Sequence, residues 1–314
     1  MYYNSNPVDL LNFIEFEGEI MNNYVLSCCS TVDLSKQDLQ ERNISYIPFH
    51  FFMNEKHFYD DLGETITPNE FYQKLKEGVD VKTSQVNSEE FIEYFTPFLK
   101  DGKDILHICL SSGISGVYGS ALIAQKELQQ QFPERKIYIV DSLGGSAGYG
   151  LIMDKLAKLK NYENYSIDLL RDWIEQNKLK LHHWFTSTDL SLYVKGGRIS
   201  KASGFVGGLL KICPVLNVSK EGKLTPILKV RSKPKALLEM LNKMVENAQD
   251  GLDYSENCFI SHSACYEDAR TLADLIEQKF PKMSEKVKIT DIGPTIGSHC
   301  GPGTIALFFW GKSR

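Results

Sequence analysis

The amino-acid sequence predicts an α/β protein in two parts: a doubly wound domain with a parallel sheet, then an α+β domain whose sheet is largely antiparallel. Three observations lead there. At 314 residues the chain exceeds what one hydrophobic core usually serves. Through about residue 165, short apolar runs alternate with helical patterns, which implies parallel strands joined by right-handed crossovers. Beyond that point, two apolar runs flank a short glycine-bearing turn, the mark of an antiparallel hairpin.

In chain order, residues 1–20 carry no convincing strand and are read as an N-terminal extension without assigned function. They mix acids, Asn and apolar residues without a basic start, so no signal peptide is expected. The first domain spans 21–165. It opens with a strand at 23–29 (NYVLSCC), a short helix at 35–42 and a strand at 45–53. Thr67-Pro68-Asn69-Glu70 supplies an N-cap, a proline in the first turn and a capping-box acid for a helix that ends at Gly78. A helix at 88–100, a strand at 104–110 (DILHICL), a helix at 115–131, a strand at 136–141 (KIYIVD) and a helix at 148–160 complete a Rossmann-like layer. The second domain spans 166–314. It is expected to hold a helix after Ser166, a strand at 181–187, a hairpin of 212–218 and 224–230, a helix at 234–247, a strand at 257–261, a helix at 266–280 and strands at 287–291 and 304–310.

Composition narrows the function classes. A formal net charge of −5 argues against non-specific nucleic-acid binding, which needs a basic face. The cysteines, Cys28, Cys29, Cys109, Cys213, Cys258, Cys265 and Cys300, are an odd set without C-x-x-C, so buried reduced thiols fit better than disulfides or a metal site. No apolar run reaches the roughly 18 residues of a membrane span, and a cytoplasmic location is expected.

Five segments stand out for small polar residues, glycines or cations. After the strand at 104–110, Ser111-Ser112-Gly113-Ile114-Ser115-Gly116 sits where open α/β sheets bind ligands, and helix amides there favour an anion; simple helix capping by serine accounts for the same residues. A nucleophile elbow fails at Ser115, because the residue two beyond it is Val117. Residues 144–150 (GGSAGYG) follow a strand but lack the third glycine of a dinucleotide fingerprint, and backbone crowding at a helix start explains them. Thr83-Ser84-Gln85 reads as a polar connection between two helices. Residues 293–303 (GPTIGSHCGPG) form a backbone-constrained loop whose His299 is either structural or held for a ligand. In residues 193–201 (YVKGGRISK), three cations surround two glycines, a phosphate clamp or a solvated turn.

In this order the segments CSTVDLS, TSQVN, LSSGISGVYGSA, YIVDS, YVKGGRIS, LLKICPVLNVSKEGKL and IGPTIGSHCGPG resemble the DegV family, which includes the fatty-acid-binding subunits (FakB) of bacterial fatty acid kinase. The resemblance runs from about Met21 to the C-terminus. It implies a ligand tunnel between the two domains, holding one long-chain fatty acid whose carboxylate meets Thr83, Ser115 and His299. Ser84, Ser111, Ser112 and Gly116 are the expected supporting residues. Lys195, Arg198 and Lys201 are expected to face a kinase or a phosphorylated head group. The resemblance implies no cofactor, no metal and no catalytic residue. The implied partners are the fatty acid, the catalytic subunit of a fatty acid kinase and, for lipid exchange, transient membrane contact. A serine-dependent acyl hydrolase or transferase, with Ser115 and His299, and a lipid-sensing regulator are the alternatives. The chain departs from the family pattern at Cys29, where an Asp is usual, at Val86, where a proline is usual, and at Val117, where a threonine is usual.

Physical chemistry is consistent with that ligand. Burying about fifteen methylenes at roughly 0.8 kcal/mol each favours binding by about 12 kcal/mol before ordering costs. Hydroxyl and imidazole donors offset much of the cost of drying a carboxylate.

Overall fold

The computed structural model describes residues 23–201 and 212–314. The extension expected at 1–20 lies outside them, as do residues 209–211 at the start of LLKICPVLNVSKEGKL. The first half contains β1 (Tyr24–Cys29), α1 (Lys36–Glu41), β2 (Ile44–Ile47), β3 (His50–Met53), β4 (Lys56–Tyr59), α2 (Pro68–Lys76) and β5 (Val81–Ser84). It continues through α3 (Ser88–Lys100), β6 (Asp104–Cys109), α4 (Val117–Gln131), β7 (Ile137–Asp141), α5 (Ser146–Glu163) and α6 (Ile167–Asn177). The second half contains β8 (Leu181–Thr186), α7 (Ser191–Lys195), β9 (Ile212–Val218), β10 (Leu224–Arg231), α8 (Lys233–Asn247), β11 (Phe259–His262), α9 (Tyr266–Lys279), β12 (Lys288–Asp291), α10 (Pro294–Cys300) and β13 (Ile305–Trp310).

The first sheet is parallel, in the order β2-β1-β6-β7. Its side chains alternate between two cores, as a pleated strand requires: Cys28 and Ile108 join one, Cys29 and Cys109 the other. The second sheet, β10-β9-β8-β13-β11-β12, is antiparallel except for the β11–β12 pair. Capping boxes start α2 at Thr67 and Glu70, with Pro68 at its first position, and α3 at Asn87 and Glu90.

Three expectations need correction. The strand predicted at 45–53 is two strands in different sheets, with β2 in the parallel sheet and β3 in a small antiparallel sheet ordered β4-β3-β5. Pro48, which has no N–H for a ladder, stands between them, and Phe49 donates its N–H to Ser30 Oγ at 3.0 Å. Thr83 and Ser84 end strand β5, whose sheet is too polar and short to show in the pattern. The glycine-rich stretch at 293–303 is largely helix α10, which ends at Gly301 with φ 68°.

Helix α5 lies between the two large sheets, against β8, β11 and β13 on one side and the turn that follows β1 on the other. It is buried without interruption from residue 146 to 154. The glycines of GGSAGYG make this possible: a Cβ on Gly148 would stand 2.4 Å from His183 Nε2 and 2.5 Å from Phe308 Cδ1, and one on Gly150 would stand 2.8 Å from the Val32 carbonyl. One continuous core therefore spans both sheets. Gly148→Ala should destabilise the protein by about 1–3 kcal/mol, read as a lower urea midpoint. Gly119→Ala, in α4 with nothing within 4 Å of the new methyl, should raise stability by about 1 kcal/mol in the same measurement.

Candidate functional site

A cavity of about 380 Å³ opens where α5 begins. This is within the roughly 300–1,000 Å³ of small-molecule sites. One wall comes from paired strands of the second sheet, with His183 and Phe185 of β8 beside Ala306 and Phe308 of β13. Leu110, Ile114, Ile296, Val218 and Leu224 extend this apolar lining.

Polar side chains gather at one end. Thr83 on β5 and His299 on α10 are joined by a hydrogen bond of 2.8 Å between Oγ1 and Nε2. Ser115, before α4, donates to Gln85 Oε1 at 3.5 Å and accepts from the Val117 N–H at 3.3 Å. Gln85 is anchored in turn by donating to Ser120 Oγ at 3.0 Å. Arg198 donates from Nε to the Ile114 carbonyl at 3.2 Å and from Nη1 to the Gly196 carbonyl at 2.5 Å. Thr83, Ser115, His299, Gln85 and Arg198 all line the cavity.

The electrostatics of this end are those of a half-dry site. Burial, and then the Arg198 charge, push the His299 imidazole down from 6.5 to about 4, so it is neutral at neutral pH. Burial also lowers the Arg198 guanidinium, and among the described residues no carboxylate forms an ion pair with it. Gly196 is required here, because a Cβ would stand 2.4 Å from His299 Nδ1.

The other expected residues divide. Ser84 lines the cavity at an exposed position, its hydroxyl donating to the Gln85 carbonyl at 3.4 Å. Gly116 is exposed and adjoins Gln85, whose Oε1 would be 2.8 Å from a Cβ. Ser111 and Ser112 do not line the cavity. Ser111 is turned into the hairpin, donating to the Gly222 carbonyl at 2.8 Å, and Ser112 is exposed. Of the three cations, Arg198 stands apart. Lys195 is 68% exposed and pairs with Asp80 at 3.0 Å, and Lys201 is exposed.

Sequence reasoning overlooked Gln85, His183 and Ser146. The elbow spacing absent at Ser115 is present in Gly144-Gly145-Ser146-Ala147-Gly148, between β7 and α5, and Ser146 has φ 54°. Its hydroxyl donates to Asp33 Oδ2 at 2.5 Å and is joined to Ser261 Oγ at 2.9 Å. The hydroxyls of Ser146 and Ser115 thus pair with Asp33, Ser261 and Gln85, and the imidazole of His299 with Thr83. Cys29, at the departure from the family pattern, is buried with its thiol pushed up to about 12, and all seven cysteines are free.

Two α/β sheets sharing a core, with an apolar cavity that ends in hydroxyls, an imidazole and a guanidinium, define the class to which this chain should be compared. The chain belongs to the DegV family, whose profile, described as an uncharacterised protein of that family, matches residues 29–312. It is 38% identical over 297 residues to a DegV domain-containing protein of Clostridium perfringens, covering 94% of this chain and 99% of the relative. Among solved structures, a DegV family protein of Thermus thermophilus, described by its fatty acid binding, aligns with a TM-score of 0.81 at 26% identity, over 92% of this chain and 99% of that one. DegV of Bacillus subtilis, described as a fatty acid binding protein, aligns with a TM-score of 0.79 at 25% identity, over 92% and 99%. No helix among the described residues is long and apolar enough to cross a membrane.

The His299 shift has a consequence for stability. Between pH 6.5 and about 4 the unfolded chain takes up a proton on this imidazole that the folded chain does not, so stability is lost as pH falls through that window. His299→Asn should reduce the slope of unfolding free energy against pH there by up to about one proton, read from urea titrations at several pH values. An unchanged slope would mean that the folded imidazole titrates freely.

Proposed function

We propose that the chain holds one long-chain fatty acid in this cavity. The acyl chain lies along the β8–β13 wall, and the carboxylate meets Thr83, Ser115 and His299. The observation that carries this reading is the contact between Thr83 and His299 in a largely apolar cavity, with Ser115 and Arg198 beside it. As a donor the Ser115 hydroxyl makes only a long bond to Gln85, and its proton can turn to a ligand at small cost while Oγ keeps the Val117 N–H. A neutral imidazole supplies one N–H donor. Arg198 adds attraction for an anion, while its bonds to two backbone carbonyls hold the guanidinium in place. The solved relatives described by fatty acid binding support the same ligand.

On this reading the protein is a carrier that presents the carboxylate to a separate fatty acid kinase. The kinase moves the terminal phosphoryl group of ATP onto a carboxylate oxygen, giving acyl phosphate and ADP. Ser84 and Gly116 lie exposed beside the head-group end, and Lys195 and Lys201 are the surface cations available to such a partner.

Denaturing extraction of the purified protein, followed by mass spectrometry, should release one equivalent of a long-chain fatty acid. An empty protein that takes up no fatty acid would overturn the reading. Thr83→Val, Ser115→Ala and His299→Ala should each weaken fatty acid affinity roughly tenfold to a hundredfold, as loss of a hydrogen bond to a charged group does. With a kinase catalytic subunit and ATP, Lys195→Glu and Lys201→Glu should lower acyl phosphate formation without changing fatty acid affinity. Unchanged formation in both variants would remove these lysines from the kinase-facing surface.

A further inference from the structure

Asp33 follows the short turn Ser30–Val32 after β1, in the left-handed region at φ 49°, and it is buried. It does not line the cavity. Its carboxyl nevertheless holds the starts of two helices that do. Oδ2 accepts from Ser146 Oγ at 2.5 Å, on the first residue of α5, and Oδ1 accepts from the Gly293 N–H at 2.9 Å, immediately before α10.

Other residues grip the same short helix. Asp60 Oδ2 accepts from the Thr295 N–H at 3.1 Å. The Tyr72 hydroxyl donates to the Ile292 carbonyl at 2.8 Å and stands where a Cβ on Gly297 would be 2.5 Å away. Helix α10 has 7 residues, and His299 is the sixth, so whatever fixes its first turn also fixes the imidazole.

Charge pairing does not account for Asp33. Among the described residues no Lys or Arg forms an ion pair with it, and its charged neighbours are Asp60 and Asp291. Burial, and then those two carboxylates, push its own carboxyl well above the usual range, against the bonds from Ser146 and Gly293. A group this costly to bury needs a geometric reason to be there.

We propose that Asp33 is a positioning residue of the cavity, tying the wall at Ser146 to the helix that carries His299 so that both move as one body. The proposal rests on the fatty acid reading above. On that reading, the grip on a carboxylate depends on a side chain that never touches the ligand.

Two variants separate positioning from mere stability. Asp33→Asn keeps an acceptor for the Gly293 amide and a polar partner for Ser146, whereas Asp33→Leu removes both. The readouts are the His299 imidazole ¹H–¹⁵N signals in the ligand-free protein, and the affinities for a long-chain fatty acid and for the matching fatty alcohol, which lacks the carboxylate. Asp33→Leu should displace the His299 signals and weaken the acid about tenfold or more while changing the alcohol by less than about threefold. Asp33→Asn should restore both readouts to within about threefold of wild type.

Wild-type His299 signals in Asp33→Leu, or equal losses for acid and alcohol, would overturn the proposal. Should Asp33→Leu fail to fold, Ser146→Ala removes one of the two ties and should move the same signals less far; no movement would overturn it equally. If the wild-type protein binds neither acid nor alcohol, the fatty acid reading falls, and the His299 signals still decide whether Asp33 positions the imidazole.

Discussion

From residue 146 to 154 helix α5 is buried on every side, and that stretch has no face left for water. It must be apolar all round or bring a partner for every polar group it buries. Its sequence does both. Leu151, Ile152, Met153 and Leu156 fill the space between the sheets, and glycine stands where the backbone meets His183, Phe308 and the Val32 carbonyl. Asp154, 2% exposed, is met by Arg42 at 2.8 Å, Lys158 at 3.2 Å and Asn257 at 3.0 Å. Because α5 lies in the one core that the two large sheets share, the sheets are packed against a common helix. The cavity lies where this helix starts, with Gly145 and Ser146 in its lining.

The lining of that gap sets what it can hold. Apolar wall favours an alkyl chain by about 0.8 kcal/mol for each methylene removed from water, but a carboxylate carried with it must exchange water for donors. The family resemblance implied Thr83, Ser115 and His299 as these donors, with Arg198 facing a kinase or a phosphorylated head group. The structure instead places one guanidinium within the cavity wall, braced on the carbonyls of Ile114 and Gly196. Part of its donor capacity is thereby committed to the protein, and what remains attracts an anion without the full grip of a free bidentate arginine. The same charge helps to keep His299 neutral, so the imidazole contributes a hydrogen bond and no second full charge.

How far the sequence could be read follows from the range of the forces involved. Helix α3 agrees with its expected bounds at both ends because an Asn–Glu capping box and an amphipathic face are local signals. The β9–β10 hairpin is equally local. The split of the 45–53 run and the strands β4 and β5 were not legible, because their pairing partners are set by tertiary structure and not by their own pattern. Helix α10 was hidden by its glycines, of which Gly297 allows the close approach of Tyr72 and Gly301, at φ 68°, ends the helix. Thr83, Ser115 and His299 could be named from family motifs, but only the fold shows that β5, the start of α4 and the end of α10 bring them to one cavity. Ser146 sits in a G-x-S-x-G spacing that could have drawn attention to it, whereas the bonds of Gln85 to Ser120 and of Asp33 to Gly293 leave no spacing to recognise.

Thr83, at the polar end of the cavity, rests on the smallest of the three cores among the described residues. Phe51, Met53, Ile66, Phe71 and Tyr72 form a satellite cluster under the β4-β3-β5 sheet, separate from the cores of the large sheets. It supports β5, and with it Thr83, while Tyr72 reaches across to the carbonyl that precedes α10. Local opening costs least where few buried apolar contacts must be given up, so this satellite is the cheapest part of the cavity wall to displace. On the proposed reading, a carboxylate at this end lies against the satellite and the acyl chain against the larger inter-sheet core. The buried carboxyls of Asp33 and Asp60 bind the start of α10 to the first half of the chain beside this satellite.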